Sequence, residues 1–391
     1  MVPSEPDKIR FWNNPKVRAI IIQLMVLAAL IGFFAFIINN TSENMKNRGI
    51  ASGFGFLEQT AGFSISQTLI DYEEADSYGR AFWVGLLNTI LISVIGIFLA
   101  TIIGFFIGIA RLSSNWLISK LATAYIEILR NIPLLLQILF WYIAVLRALP
   151  RAKQSYSLFD ILYLNVRGLY IPKPLFEVGF GNVFYAFIVV LVLVVLLVRW
   201  ARKRQEQTGA QFPVFWSSLG LLILLPLGTA AMNGFPMSWE YAVLKGFNFK
   251  GGLRVMPEFV SMLFALSLYT AAFIGEIVRA GIMAVSKGQT EASYALGLHP
   301  GQTLRLIVIP QALRVIVPPL TSQYLNLTKN SSLAVAIAYP DLVHVFAGTA
   351  LMQTGQAVEI LGITMACYLS LSLLISMIMN WYNMSIALKE K

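Results

Sequence analysis

Eight apolar runs, each long enough to cross a bilayer, occupy most of the chain and leave short segments between them. They fall at about 19–38, 84–110, 124–146, 183–198, 214–232, 259–282, 312–336 and 358–382. Roughly 20 apolar residues in a helix span ~30 Å of hydrocarbon. The expected fold is therefore an all-α polytopic membrane protein with about eight transmembrane helices. Composition agrees, because 57% of the residues are hydrophobic and only 12% charged, about half the charged share of a soluble domain. No large soluble domain fits in what remains. The first run follows Lys8, Arg10, Lys16 and Arg18, but it is too long for a signal peptide and no small-residue cleavage site follows. It reads as a retained anchor.

The net charge of +10 does not point to nucleic acid. Its basic residues sit in short runs beside apolar segments, where they act as topology signals. With the N-terminus in the cytoplasm, the inner segments are 1–18, 111–123, 199–213, 283–311 and 383–391. The cluster Arg199, Arg202, Lys203 and Arg204 then falls inside, as the positive-inside rule requires. The outer segments also carry Arg147, Arg151, Lys153, Arg167 and Lys173, but are longer and include Asp71, Glu73, Glu74 and Asp76. Cys367, the one cysteine, lies in an apolar run, which excludes a disulfide framework and a cysteine-rich metal site.

Polar side chains inside such runs need a partner or water. In the seventh run Ser322, Asn326, Lys329 and Asn330 share one helical face, which either lines a substrate path or bonds to neighbouring helices. The third run opens with Glu127, Arg130, Asn131 and Pro133. Arg130 and Gln137 project to nearly the same side of a continuous helix, and Pro133 frees the carbonyl four residues back. Glu127 and Arg130 suit a local ion pair, leaving Asn131 and Gln137 as path candidates. In the sixth run Glu276 and Arg279 have the spacing of a neutralising pair. Tyr269 lies one heptad before Glu276 on the same face, with Thr270 beside it, and these three are also path candidates. Gly96, Ala100, Gly104 and Gly108 form a stripe of small residues, expected to serve close helix packing.

Between the sixth and seventh runs lies the polar segment EASYALGLHPGQTLRLIVIP, from Glu291 to Pro310. Its register is Glu291, Ala292 and Ser293, three residues, Gly297, nine residues, Ile307, then Ile309 and Pro310. This resembles the EAA loop of the permease subunits of ATP-binding-cassette importers, with Ser293 where a second alanine is common and Ile309 where leucine is common. Segments 88–111, 125–142, 269–289 and 310–333 extend the resemblance to the polar amino-acid branch of these permeases. The enlarged layout is similar to the general L-amino-acid permeases.

The resemblance implies a five-span type I importer core, with an N-terminal anchor and a two-span insertion added to it. The expected divisions are 1–83 for the anchor and outer segment, 84–147 for the first part of the core, 148–257 for the insertion and 258–391 for the rest. It further implies a multi-pass protein of the bacterial inner membrane with both termini cytoplasmic. Its partners would be ATPase subunits, a second and different permease subunit, and a periplasmic amino-acid-binding protein. ATP and Mg would belong to the ATPase, and this chain would hold no cofactor or metal. No G-x-x-x-x-G-K-[ST] loop or H-E-x-x-H motif occurs, and no catalytic centre is legible. Gln289, Thr290, Glu291, Ala292, Ser293, Gly297, Ile307 and Pro310 are the expected ATPase-coupling residues. An ion-coupled secondary transporter or channel is the alternative, but would have no use for a loop in this register.

Overall fold

The computed structural model describes residues 15–47 and 52–386. Lys8, Arg10 and the tail 387–391 lie outside the described residues. The chain is mostly helical, as its apolar runs require. The long helices are α1 (Pro15–Asn47), α2 (Tyr78–Arg111), α5 (Phe180–Thr208), α6 (Val214–Met232), α7 (Pro257–Met283), α10 (Ile309–Asn330) and α12 (Ala357–Ile386). Among the described residues seven helical stretches are long and apolar enough to cross a membrane, and a bent pair makes eight.

That bent pair corrects the reading of the third run. The sequence predicts one helix over 124–146, but the chain builds α3 (Trp116–Asn131) and α4 (Leu134–Leu139). A wider π-helical stretch continues α4 to Leu146, and the two arms are bent by 105°. Pro133 is the cause, since it has no N–H to give and its ring clashes with the preceding turn. Across this bend a seven-residue spacing no longer defines a common face, so Arg130 and Gln137 are not brought to one side by periodicity.

The chain divides into two compact units. One comprises the residues up to Ile126 together with those from Thr270 onward, and the other Glu127–Tyr269. In the first, the small stripe of α2 packs as expected. A methyl group on Gly104 would lie 2.6 Å from Ile274, and one on Gly108 would lie 2.6 Å from the Gly275 carbonyl and 2.7 Å from Val278. Gly96 faces Leu327 of α10 in the same way. Asn88 and Thr89 hold the chain that follows α10. Asn88 Nδ2 donates to the Gln67 and Pro340 carbonyls at 2.9 and 2.8 Å, and Thr89 Oγ1 accepts from the Leu342 N–H at 2.9 Å. This chain leads into a π-helical stretch (Val343–Ala350), α11 (Leu351–Thr354) and α12.

The second unit contains an addition that the apolar runs do not announce. Eight short strands flank α5 and α6: β1 (Tyr156–Leu158), β2 (Leu162–Asn165), β3 (Gly168–Ile171), β4 (Lys173–Phe176), β5 (Met237–Glu240), β6 (Val243–Lys245), β7 (Asn248–Lys250) and β8 (Leu253–Val255). They form a four-stranded antiparallel sheet in the order β1-β2-β3-β8 and two pairs, β4-β5 and β6-β7. Gly168 closes the β2–β3 turn at φ +128°, where a side chain would strike the Val255 carbonyl. Asn165 Oδ1 accepts from the Arg167 N–H at 2.8 Å and fixes the same turn.

Candidate functional site: the exposed loop and the polar face

The polar segment after α7 folds into a capped helix followed by a second start. Helix α8 (Lys287–Ala295) ends at Leu296, and Gly297 then takes φ +78°. Gly297 N–H donates to the Tyr294 carbonyl at 2.9 Å and Leu298 N–H to the Ser293 carbonyl at 3.1 Å. These two bonds make a Schellman end, which satisfies carbonyls the helix leaves over and calls for glycine at its left-handed position. His299 then opens the four-residue α9 (Pro300–Thr303), with its N–H bonded to Gln302 Oε1 at 3.1 Å and Pro300 in the first turn. A π-helical turn (Leu304–Val308) joins it to α10.

Ser293, the departure from the usual alanine, has a physical role. It is buried, its Oγ lies 2.7 Å from the Thr290 carbonyl and 2.9 Å from Thr303 Oγ1, and Thr303 is buried too. The single serine proton is shared between two acceptors, the Thr290 carbonyl and Thr303 Oγ1. This pair fastens α8 to α9. Gln289 adds a weaker tie, its Oε1 accepting from Gln311 Nε2 at 3.3 Å. The outer face of α8 is open. Gln289, Glu291 and Ala292 are exposed, Tyr294 is 49% and Leu296 82% accessible, and Thr290 is half-buried. Ile307 is half-buried and Pro310 exposed.

A charge cluster precedes this loop. Glu276 accepts from Arg279 Nη2 at 2.6 Å and also pairs with Arg111 Nη1. Sequence spacing reveals the first pair. Arg111 was missed because it lies 165 residues away, and no periodic signal links the last residue of α2 to α7. Glu276 is therefore held between two guanidinium groups.

The path candidates separate into distinct groups. On α10, Ser322, Asn326 and Lys329 are exposed and Asn330 half-buried, whereas Leu327 and Thr328 on the opposite side are buried. The polar stripe thus faces away from the chain's own core. Thr270 is buried and Tyr269 half-buried. At the α3–α4 break, Asn131 is exposed and bonds the Glu127 carbonyl at 2.8 Å. Gln137 is buried and has a backbone task. Its Nε2 donates to the Leu129 carbonyl, the one freed by Pro133, at 2.9 Å and to the Ile132 carbonyl at 3.0 Å.

The arrangement of membrane helices, an exposed capped helix between two of them and a polar face turned outward defines a membrane-embedded transport subunit. The chain belongs to the family described as inner membrane components of binding-protein-dependent transport systems, which matches residues 100–384. It is 52% identical to the general L-amino acid transport system permease protein AapQ of Rhizobium johnstonii over 97% of this chain and 94% of that one. It is 53% identical to the putative amino-acid ABC transporter permease protein YhdX of Escherichia coli over 97% of each. The glutamate/glutamine/aspartate/asparagine transport system permease protein BztB of Rhodobacter capsulatus is 43% identical over 99% of both chains.

Proposed function

We propose that the chain is the permease subunit of an ATP-driven importer of polar L-amino acids, fed by an extracytoplasmic binding protein. The names of its similar relatives support the substrate class. The observation that carries the coupling role is α8: a short helix closed at its C-terminus by the Gly297 turn, open on its outer face and fastened by Ser293 and Thr303 to the segment that starts α10. A partner ATPase docks on this face, and its closure displaces α8 together with the base of α10. ATP and Mg act on that partner. The outward polar stripe of Ser322, Asn326, Lys329 and Asn330 suits a water-filled path completed by a second permease subunit, because lipid would leave these groups unsatisfied. In this arrangement the α8 loop and both termini are cytoplasmic.

Alternating access needs two packings close in free energy that ATP and the loaded binding protein bias differently. The test is uptake of labelled L-amino acids by vesicles containing the chain and its co-purified partners, with ATP inside and binding protein outside. Gly297→Val should leave substrate capture by the binding protein intact while reducing uptake and coupled hydrolysis at least tenfold. Normal coupled uptake by that variant rules out the lever. Uptake driven by an ion gradient with the ATPase inactive would replace the importer reading altogether.

A further inference from the structure

The Glu127–Tyr269 unit holds a second concentration of charge that the coupling loop and the polar stripe do not use. A cavity of about 480 Å³ is lined by Tyr142, Arg147, Arg167, Arg254 and Glu258, among others. Strand pairing builds its walls. Arg254 lies on β8 opposite Tyr170 of β3, and its Nε donates to the Arg167 carbonyl at 2.7 Å. Arg167 itself sits in the tight β2–β3 turn set by Asn165 and Gly168. Glu258, in the first turn of α7, accepts from Tyr142 Oη at 2.9 Å. Arg147 stacks over the Tyr142 ring with its guanidinium carbon 5.1 Å from the centroid. The second carboxylate oxygen of Glu258, Oε2, is buried without a hydrogen-bond partner. A neighbouring cavity of about 690 Å³ shares Val166 and Arg167 and adds Arg151 and Lys153.

Three guanidinium groups and one carboxylate around a single cavity leave two positive charges unmatched. A matching ligand carries more than one carboxylate for the arginines, whose planar forks bind carboxylates in two places. It also carries a cation for the unsatisfied Glu258 oxygen, because a buried acceptor without a donor is costly. One small class has both, the acidic α-amino acids, and the cavity is of ordinary size for a small-molecule site.

We propose that this cavity binds an acidic α-amino acid, its ammonium group at Glu258 Oε2 and its carboxylates at Arg147, Arg167 and Arg254. The proposal rests on the amino-acid reading above and deepens it. The cavity is an entry station on the extracytoplasmic side. Arg151 and Lys153 in the adjoining cavity draw anions toward it.

The test is equilibrium binding of labelled L-glutamate to the full-length chain with its co-purified membrane and ATPase partners in nanodiscs, with the binding protein omitted. Saturable binding is expected. Arg147→Gln and Arg167→Gln should each weaken it at least tenfold, with Arg147→Lys weakening it less. Glutarate, which lacks the ammonium group, should bind the wild type about tenfold more weakly than L-glutamate and lose that disadvantage in Glu258→Gln. Ser322→Ala with Asn326→Ala should retain the binding. Unchanged thermal melting of each variant separates loss of the site from loss of fold. Absence of saturable binding in the wild type overturns the proposal, as does its loss in the Ser322/Asn326 variant. If the arginine variants weaken capture of the binding protein but leave L-glutamate binding unchanged, the cavity is a protein-docking surface and the proposal fails. Amino-acid uptake by the wild-type vesicles is a separate readout, so failure of this site and failure of the substrate reading are distinguishable.

Discussion

The breaks at Pro133 and at Gly297 each interrupt a helical stretch, and they are repaired in opposite ways. At Pro133 the freed carbonyl of Leu129 is taken by a side chain, the buried Gln137, which also serves Ile132. At Gly297 the chain satisfies its own carbonyls through backbone N–H groups in a left-handed turn, and the surroundings are open. The difference follows from solvent. A break within an apolar run has no water to fall back on, so a polar side chain must be committed to it. A break in an exposed loop needs only a residue that tolerates the backbone angle, which leaves its surface free for a partner.

The strongest test of this contrast is Gln137→Leu. It strands two carbonyls, each costing about 1–3 kcal/mol when buried without a partner. A loss of about 2–5 kcal/mol in denaturant unfolding of the purified chain is expected, and wild-type stability would mean the break is satisfied elsewhere. Gly297→Val comes next, at about 2 kcal/mol from backbone strain alone. No atom lies within 4 Å of a methyl group built there, so Gly297→Asn should recover most of that stability. Equal losses for valine and asparagine would point to crowding instead. Ser293→Ala should cost about 1 kcal/mol by leaving the buried Thr303 hydroxyl without the donor it accepts from. A double-mutant cycle with Thr303→Val should show coupling of at least ~0.5 kcal/mol, and strict additivity would dissolve the tie between α8 and α9. Glu291→Gln, on the open face, should change stability by no more than ~0.5 kcal/mol. Reduced co-purification of the ATPase with that variant is nevertheless expected, and unchanged recovery would place the docking contact elsewhere.

The features legible in the sequence were those carried by periodicity or by contiguous register. Hydropathy located the membrane helices because a bilayer imposes a minimum apolar length on each of them. The small-residue stripe of α2 found its packing partners, and Gly297 found its turn, because both depend on local spacing. The strands of the Glu127–Tyr269 unit were not anticipated. They are three or four residues long and lie in mixed segments where alternation is too brief to stand out, although Asn165 to Gly168 has the composition of a tight turn. The bend at Pro133 was half legible: the freed carbonyl followed from chemistry, but the size of the bend and Gln137 as its acceptor's partner did not. Arg111 beside Glu276 and Glu258 beside Tyr142 join residues over a hundred positions apart, a relation that a single sequence does not display.

The contact along Gly104 and Gly108 has a mechanical consequence. Where backbone meets side chain with no room for even one added methyl, the joint has no slack. A displacement entering the last turns of α7 is not absorbed by side chains changing rotamer, as it would be between two leucine-faced helices. The same α2 helix carries Asn88 and Thr89, whose hydrogen bonds hold the chain beyond α10. The glycines thus leave the α2 helix and the last turns of α7 in a close-fitting joint, in which neither can slide on the other without a shift of backbone.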